Sequence, residues 1–390
     1  MFSYLLIIVA AIGTVASTVF LAMALASAVR HKLKMAAQRA EGERVTEFPP
    51  VSVLKPVHGM EPRLRENLES YFQQDHTEFE LIFCARTRDD AALKLVDELC
   101  ALHPKVNVRI MTSGEPSCPN AKVFSVEKMV AESKYHLLVI SDSDVHVAPG
   151  YLRDITHPPL KQEVGMVTCL YRGYPVGGLW ARLEALGMSV EMTSGVLIAN
   201  MLEGMKFALG PTMVIRKDVL AKIGGIGQLR DYCSDDYLLG KWTEAAGYQV
   251  LISEHVIDHI VLNRSWSSSW AHQVRWMKST RFSRPVGHLG TGLTFAMPFG
   301  ILGLIAGYLA GQPALGAALF AWAVLSRFLQ ALAIGWGVVR DPRALSHFWL
   351  YPARDLLGFF LWVASYSGSV VDWRGEKYRL QSGGIMTKVG

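Results

Sequence analysis

The sequence lacks the cysteine pattern of a disulfide-built or zinc-held domain. Its five cysteines, Cys84, Cys100, Cys118, Cys169 and Cys233, are odd in number, scattered and never in a C-x-x-C pair, which argues against both and for a reducing compartment. It also lacks a G-x-G-x-x-G turn and a P-loop, so any phosphate it binds must be held by a cation rather than by a glycine-rich backbone cradle. Charge is sparse: 19% of the 390 residues are charged, against about 25% in an ordinary soluble protein. The net charge of +5 forms no basic stripe with interleaved aromatics, which excludes a nucleic-acid partner.

What is there is apolar, 51% of the chain, and the excess lies at the two ends. Residues 4–29 carry no charge and are long enough to cross a bilayer as a helix. Ala26-Ser27-Ala28 resembles a signal-peptide cleavage site, but no positive charge precedes the apolar run, while Arg30, Lys32, Lys34 and Arg39 follow it. That placement favours an uncleaved anchor with the following chain in the cytoplasm. Near the other end, residues 293–310, 314–339 and 348–366 are apolar enough to span, the second despite Arg327 and the third interrupted by Arg354-Asp355. Three spans would leave the basic stretch from Arg374 to Arg379 outside, against the charge rule, so the last segment is expected to be re-entrant or interfacial. The expected organisation is an anchor at 1–30, a charged linker at 31–50, a cytoplasmic domain at 51–290, spanning or re-entrant helices at 291–370 and a basic tail at 371–390.

The middle has an α/β rhythm. Strands expected at 51–55, 79–85, 106–111 and 135–140 alternate with helices at 61–74, 91–102 and 123–133, which implies a parallel sheet with right-handed crossovers. The fourth strand ends in Ser141-Asp142-Ser143-Asp144, two carboxylates standing where α/β sheets place ligands. Like charges spaced i, i+2 suit a shared hard cation, Mg²⁺ or Mn²⁺, completed by a diphosphate; a solvated turn is the plainer alternative. Residues 162–171 read as a further strand, and 178–200 as a core or interfacial helix. In Cys233-Ser234-Asp235-Asp236-Tyr237, Ser234 is placed to cap a helix whose dipole favours Asp235, and Asp236 is a candidate general base. A later helix, 269–281, carries His272, Arg275 and Trp276 on one face. A cation there could meet a departing diphosphate or lie on lipid head groups.

Taken together these segments resemble the ceramide glucosyltransferase family of membrane glycosyltransferases, and within it the bacterial hopanoid-biosynthesis enzymes that decorate bacteriohopanetetrol. The resemblance rests on Val51-Ser52-Val53-Leu54-Lys55-Pro56, Asp89-Asp90, Asn120-Ala121-Lys122, Asp142-Ser143-Asp144, Asp235-Asp236-Tyr237, His272-Gln273-Val274-Arg275-Trp276 and Trp373-Arg374-Gly375-Glu376-Lys377-Tyr378-Arg379-Leu380. Thr168-Cys169-Leu170-Tyr171-Arg172-Gly173 and Gly177-Gly178-Leu179-Trp180 look like the hopanoid branch.

The resemblance implies a GT-A fold: an α/β nucleotide-sugar-binding domain with a mainly parallel sheet, flanked by N- and C-terminal membrane helices. It implies that Asp90 contacts the nucleotide, with Lys55, Pro56 and Lys122 lining the donor pocket, and that Asp142 and Asp144 hold the metal and diphosphate. Asp236 is then the base, and Arg275-Trp276 closes a signature in which this chain has His272 where Gln or Arg is usual. A neutral imidazole there supplies no permanent charge. The implied partners are a UDP-sugar, a divalent cation, a ceramide or hopanoid acceptor and the bilayer. The implied place is the bacterial inner membrane, with the catalytic domain on the cytoplasmic side. A polyprenyl-phosphate glycosyltransferase, a polysaccharide synthase and a non-catalytic lipid- or nucleotide-binding protein are the alternatives.

Overall fold

The computed structural model describes residues 2–263, 265–373 and 375–389. Arg374, part of the expected basic stretch, lies outside them. The chain forms two compact units: Leu33–Tyr171, Glu203–Ile260 and Glu376–Gly390 make one, and Met1–Lys32, Arg172–Leu202 and Val261–Gly375 the other.

The first unit is built on strands β1 (Val51–Pro56), β2 (Phe79–Ala85), β3 (Asn107–Thr112), β4 (Leu137–Ser141), β5 (Val145–His146), β6 (Val164–Pro175), β7 (Thr212–Arg216) and β8 (Gln249–Val261). Strands β1, β2 and β4 are almost wholly buried, as strands covered on both faces must be. Their order is β3-β2-β1-β4-β7-β6-β8-β5. The first four run parallel, as their alternation with helices requires. Beyond β4 the sheet turns antiparallel, with β7 against β4, β6 against β7 and β5 against β8, so it is mixed.

Chain order runs outward from β1 through β2 to β3 and then returns to β4 on the other side of β1. That reversal opens a crevice at the carboxyl ends of β1 and β4, the usual ligand position in such sheets. The register pairs Leu54 with Ile140, so Lys55 and the Asp142 turn come out side by side.

The N-terminal helix runs Phe2–Gly42, so the expected linker is helical as far as residue 42. Its Lys, Met, Ala, Gln, Arg and Glu residues are good helix formers, with no glycine or proline before Gly42 to stop it. Among the described residues, three helices are long and apolar enough to cross a bilayer: Phe2–Gly42, Leu179–Glu203 and Pro313–Trp336. They mark the chain as a membrane protein. The second of them is mostly buried inside the protein and covers the stretch 178–200 expected as a core or interfacial helix.

The span expected at 293–310 is shorter than anticipated, and the last segment, expected to be re-entrant or interfacial, is short as well. The helix Met297–Leu309 has 13 residues and Tyr351–Ala364 has 14, about 20 Å each at ~1.5 Å per residue, against a hydrocarbon core of about 30 Å. Polar anchoring within this second unit explains the break. Asp355, 3% exposed, accepts from the backbone N–H groups of Ala296 and Met297 at 2.9 and 2.8 Å and from Arg327 Nη1 at 3.0 Å. Arg327 is 1% exposed, so it faces protein, as an intramembrane arginine should. Arg354 likewise ion-pairs with Glu191 at 3.0 Å and donates to Gln273. Its guanidinium lies against the backbone of Gly187, where an added Cβ would come within 2.5 Å of Arg354 Nε.

Candidate active site

The turn after β4 gathers the charges of the first unit. Lys55, at the carboxyl end of β1, is fully buried. Its Nζ donates to the backbone carbonyl of Asp142 and lies 3.8 Å from the centre of the Tyr71 ring. Burial pushes the Lys55 ammonium down to about 7, against the opposing pull of Asp142 and Asp144. Tyr71 in turn shares a 2.6 Å hydrogen bond with Ser141, whose hydroxyl donates to the Pro211 carbonyl at 3.0 Å. Lys55 is therefore a strut beneath the Asp142 turn. A lysine so placed supports the turn that the resemblance assigns to the donor.

Lys122, in the first turn of the helix Ala121–Glu132, reaches the same turn from the other side. Its Nζ is 2.6 Å from Asp142 Oδ1 and 3.8 Å from Asp235 Oδ2. Burial alone would depress this ammonium, but Asp142 and Asp235 outweigh it and hold Lys122 above the usual lysine range. Asn120 caps the helix by accepting from Val123 N at 3.1 Å, and its amide donates to the Tyr232 carbonyl at 2.9 Å and to Asp235 Oδ1 at 3.4 Å. One short segment, 120–122, thus ties the Asp142 turn to the start of the helix Asp235–Ala245.

Asp236 sits in the first turn of that helix; Ser234 holds the N-cap position as expected, but its side chain makes no capping hydrogen bond among the described residues. Its Oδ2 accepts from Gly210 N at 2.8 Å and its Oδ1 from Tyr237 N at 2.7 Å. Burial and the neighbouring Asp235 charge push the Asp236 carboxyl up to about 6, while Lys122 and those two N–H groups pull the other way. Lys55, Lys122, Asp142, Asp235 and Asp236 therefore form one electrostatic cluster, with Asp144 following Asp142 in the same turn.

Asp144 tests whether a cation fits. Its Oδ1 is buried and has no hydrogen-bond partner among the described residues, and its Oδ2 lies 3.7 Å from His259 Nε2. An orphaned buried carboxylate oxygen is costly unless something positive meets it. Among the described residues no three or more of His, Cys, Asp and Glu converge as a cage. Mg²⁺ and Mn²⁺ do not need one, since they take one or two carboxylates and complete their shell with phosphates and water. The residues fit such an ion: Asp142 and Asp144 would supply its carboxylate ligands, with His259 beside Asp144.

The other expected residues have different partners. Asp90 caps the helix Ala91–Leu102, accepting from Ala92 N at 2.8 Å and Gly59 N at 2.9 Å, with His58 Nδ1 at 3.3 Å. Pro56 closes β1 opposite Cys84. In the second unit, the helix Trp266–Ser283 carries His272, Arg275 and Trp276. The His272 and Trp276 rings lie 4.3 Å apart, and the Arg275 guanidinium lies 5.5 Å from the centre of the Trp373 ring. His272 Nδ1 is 2.7 Å from Glu184 Oε1, and Glu184 also accepts from Ser269 at 2.7 Å and from Asn263 at 2.8 Å. Facing a carboxylate, Nδ1 must carry the proton, so Glu184 selects the tautomer of His272.

Glu184 and His259 escaped the sequence reading. His259 lies in strand β8, and no motif in the sequence around it marks it out. Glu184 did leave a signal, one of two acids with Glu191 in the apolar stretch 178–200, because a carboxylate buried there demands partners.

The sequence profile of glycosyl transferase family 21 matches residues 7–386. The chain belongs to that family. Ceramide glucosyltransferase 1 of Caenorhabditis elegans is 27% identical over 348 residues, covering 86% of this chain and 73% of that protein. The ceramide glucosyltransferase of Komagataella phaffii is 34% identical over 106 residues, 26% of this chain and 21% of its own. Among solved structures, the mannosyltransferase of Pyrobaculum calidifontis in complex with GDP-Man and Mn²⁺ aligns with a TM-score of 0.47 at 15% identity, covering 89% of this chain and 99% of that one. TarS of S. aureus in complex with UDP-GlcNAc aligns at 0.42 and 12% identity, covering 87% and 99%. Both scores lie below 0.5, so the chemistry of this glycosyltransferase rests on its own side chains.

Proposed function

We propose that this glycosyltransferase moves a sugar from a UDP-sugar to a hydroxyl of a membrane lipid, a ceramide or a hopanoid such as bacteriohopanetetrol, with inversion at the anomeric carbon. The observation that carries the reading is Asp236, a carboxylate pushed up to about 6 beside the Lys122–Asp142 pair. A base with that affinity for protons is still mostly ionised at neutral pH and accepts a proton more readily than an ordinary aspartate. Asp236 takes the proton of the acceptor hydroxyl as its oxygen attacks the anomeric carbon. The bond from that carbon to the diphosphate oxygen breaks, and UDP departs with the electron pair. One displacement needs one base and no protein nucleophile.

Asp142 and Asp144 would hold Mg²⁺ or Mn²⁺, which when bound neutralises the leaving diphosphate. Lys122 and Lys55 keep the Asp142 turn in place. Asp90 and Pro56 are assigned to the nucleotide side, and Arg275 with Trp276 to the leaving diphosphate, on the family signature. The lipid acceptor is supported by the ceramide glucosyltransferases among the relatives and by the three apolar helices, which keep the enzyme where lipid hydroxyls are concentrated. The basic residues Arg30, Lys32, Lys34 and Arg39 after the first apolar stretch support a catalytic unit on the cytoplasmic side of a bacterial inner membrane.

The test is mass spectrometry of total lipids from a host supplied with both ceramide and bacteriohopanetetrol, expressing either the intact chain or Asp236→Asn. A hexosyl or N-acetylhexosaminyl lipid found only with the intact chain is expected, and its mass identifies sugar and acceptor together. No new glycolipid, with both proteins in the membrane, would overturn the reading.

A further inference from the structure

The stretch after Trp373 was expected as a basic tail. Instead, Glu376–Leu380 and Met386–Lys388 form an antiparallel hairpin, with Tyr378 opposite Lys388 and Leu380 opposite Met386, inside the same compact unit as the Asp236 cluster. Tyr378, Leu380 and Met386 are buried at 6%, 2% and 2% exposure, so the hairpin is packed in place. Its turn closes with Gln381 N donating to the Ile385 carbonyl at 2.8 Å, over Gly383 and Gly384 at φ of 82° and 85°, a conformation glycine adopts without strain.

The hairpin's hydrogen bonds go to the segment that leads into Asp235 and Asp236. Met386 N donates to the Asp231 carbonyl at 2.7 Å, Cys233 N donates to the Gly384 carbonyl at 3.0 Å, and Tyr232 bridges Ile385 in antiparallel register. On the opposite edge, Asn120 N donates to the Arg230 carbonyl and Asn120 Nδ2 to the Tyr232 carbonyl, both at 2.9 Å. Carbonyls 230 and 232 therefore point one way and carbonyl 231 the other, as in a strand. The approach to the catalytic helix is therefore held on two edges. Asn120 supplies one edge and the hairpin supplies the other.

We propose that the C-terminal hairpin is a positioning element of the active site: it fixes residues 231–233 and through them the Asp236 carboxylate, so its loss slows the chemical step rather than donor binding. The inference rests on Asp236 acting as the base. It gives a purpose to the Glu376–Leu380 motif, which the mechanism otherwise leaves unused.

Met386 offers the test. Ile385 already has φ −67° and ψ 137°, the conformation a residue before proline prefers, and proline is tolerated at the first position of a strand. Met386→Pro thus removes the N–H that holds Asp231, while Met386→Ala removes the side chain and keeps the N–H. In the full-length enzyme in detergent, Met386→Pro should lower kcat about 100-fold, the scale of a ~1 Å misplacement, with donor KM within about 3-fold. Met386→Ala should stay within about 3-fold in kcat, and Met386→Leu should match the wild type. Added to Asp236→Asn, Met386→Pro should cost nothing further. Equal loss in the proline and alanine variants, or an unchanged kcat in the proline variant, overturns the proposal.

A measurement on the wild type covers the case in which the proline variant does not fold. The amides of Cys233 and Met386 should lose hydrogen-exchange protection together as denaturant is added. Met386 opening while Cys233 stays protected also overturns it. If the wild type glycosylates no lipid, the functional reading fails, whereas the exchange linkage still tests whether the hairpin holds the segment.

Discussion

Asp236 and Glu184, one in each compact unit, are both acids enclosed by protein, and they are treated in opposite ways. Glu184 accepts from three side chains, His272, Ser269 and Asn263. Asp236 receives two backbone N–H groups and has Asp235 as its neighbour, so its affinity for a proton rises. The second unit repeats the saturated pattern at Asp355, which takes two backbone N–H groups and Arg327. The lesson is physical. A carboxylate met by several side-chain donors or a guanidinium anchors structure, while one held by two backbone N–H groups beside a like charge keeps its basicity for chemistry.

The largest effect should come from removing the acid that sits beside a like charge. Asp236→Asn should cut kcat by about 10³-fold, within the range of general-base catalysis, with donor KM within a few-fold; a comparable fall in donor affinity would show that Asp236 holds the nucleotide instead. Breaking the saturated pair should act on stability. Arg327→Ala leaves Asp355 buried and uncompensated and should cost about 3–5 kcal/mol, read as a fall in Tm in detergent, whereas Arg327→Met combined with Asp355→Leu should recover most of it. Glu184→Ala strands three donors and should cost about 1–3 kcal/mol. Because it frees the His272 tautomer, its effect on kcat should shrink in a His272→Gln background, where there is no imidazole to orient.

The smallest effect is a shift along the pH axis. The base works deprotonated, so kcat should fall as pH drops through about 6, the position of the raised Asp236 carboxyl. Asp235→Asn removes the like charge that raises it, so the acid limb should move to lower pH. A limb that stays in place in this variant would mean another group controls it.

Much of the first unit was legible. The alternating strands and helices announced four parallel strands, and an apolar run ending in Asp142-Ser143-Asp144 announced a polar strand end, because both signals are local in the chain. The antiparallel half was less so, since strands β6 to β8 pair across long separations that periodicity does not record. Lys55 and Lys122 were read as lining a pocket. Their partners, the Asp142 carbonyl and carboxylate, lie 87 residues from one and 20 from the other along the chain, which no window reveals. The helix Met297–Leu309 was overextended because hydropathy counts apolar residues and does not see that Asp355 holds the first N–H groups of that helix.

By itself the sequence determined the residue types at the strand and helix ends, the membrane character and the family, since these follow from composition, period and motif order. Tertiary structure alone decided which charges are neutralised and which are left active. Burial and partner count come from contacts between distant segments: Lys122 against Asp142, Asn120 and the C-terminal hairpin on either side of residues 230–233, and Gly210 against Asp236. Proton affinity depends on that surrounding field, and the field exists only once the chain has folded.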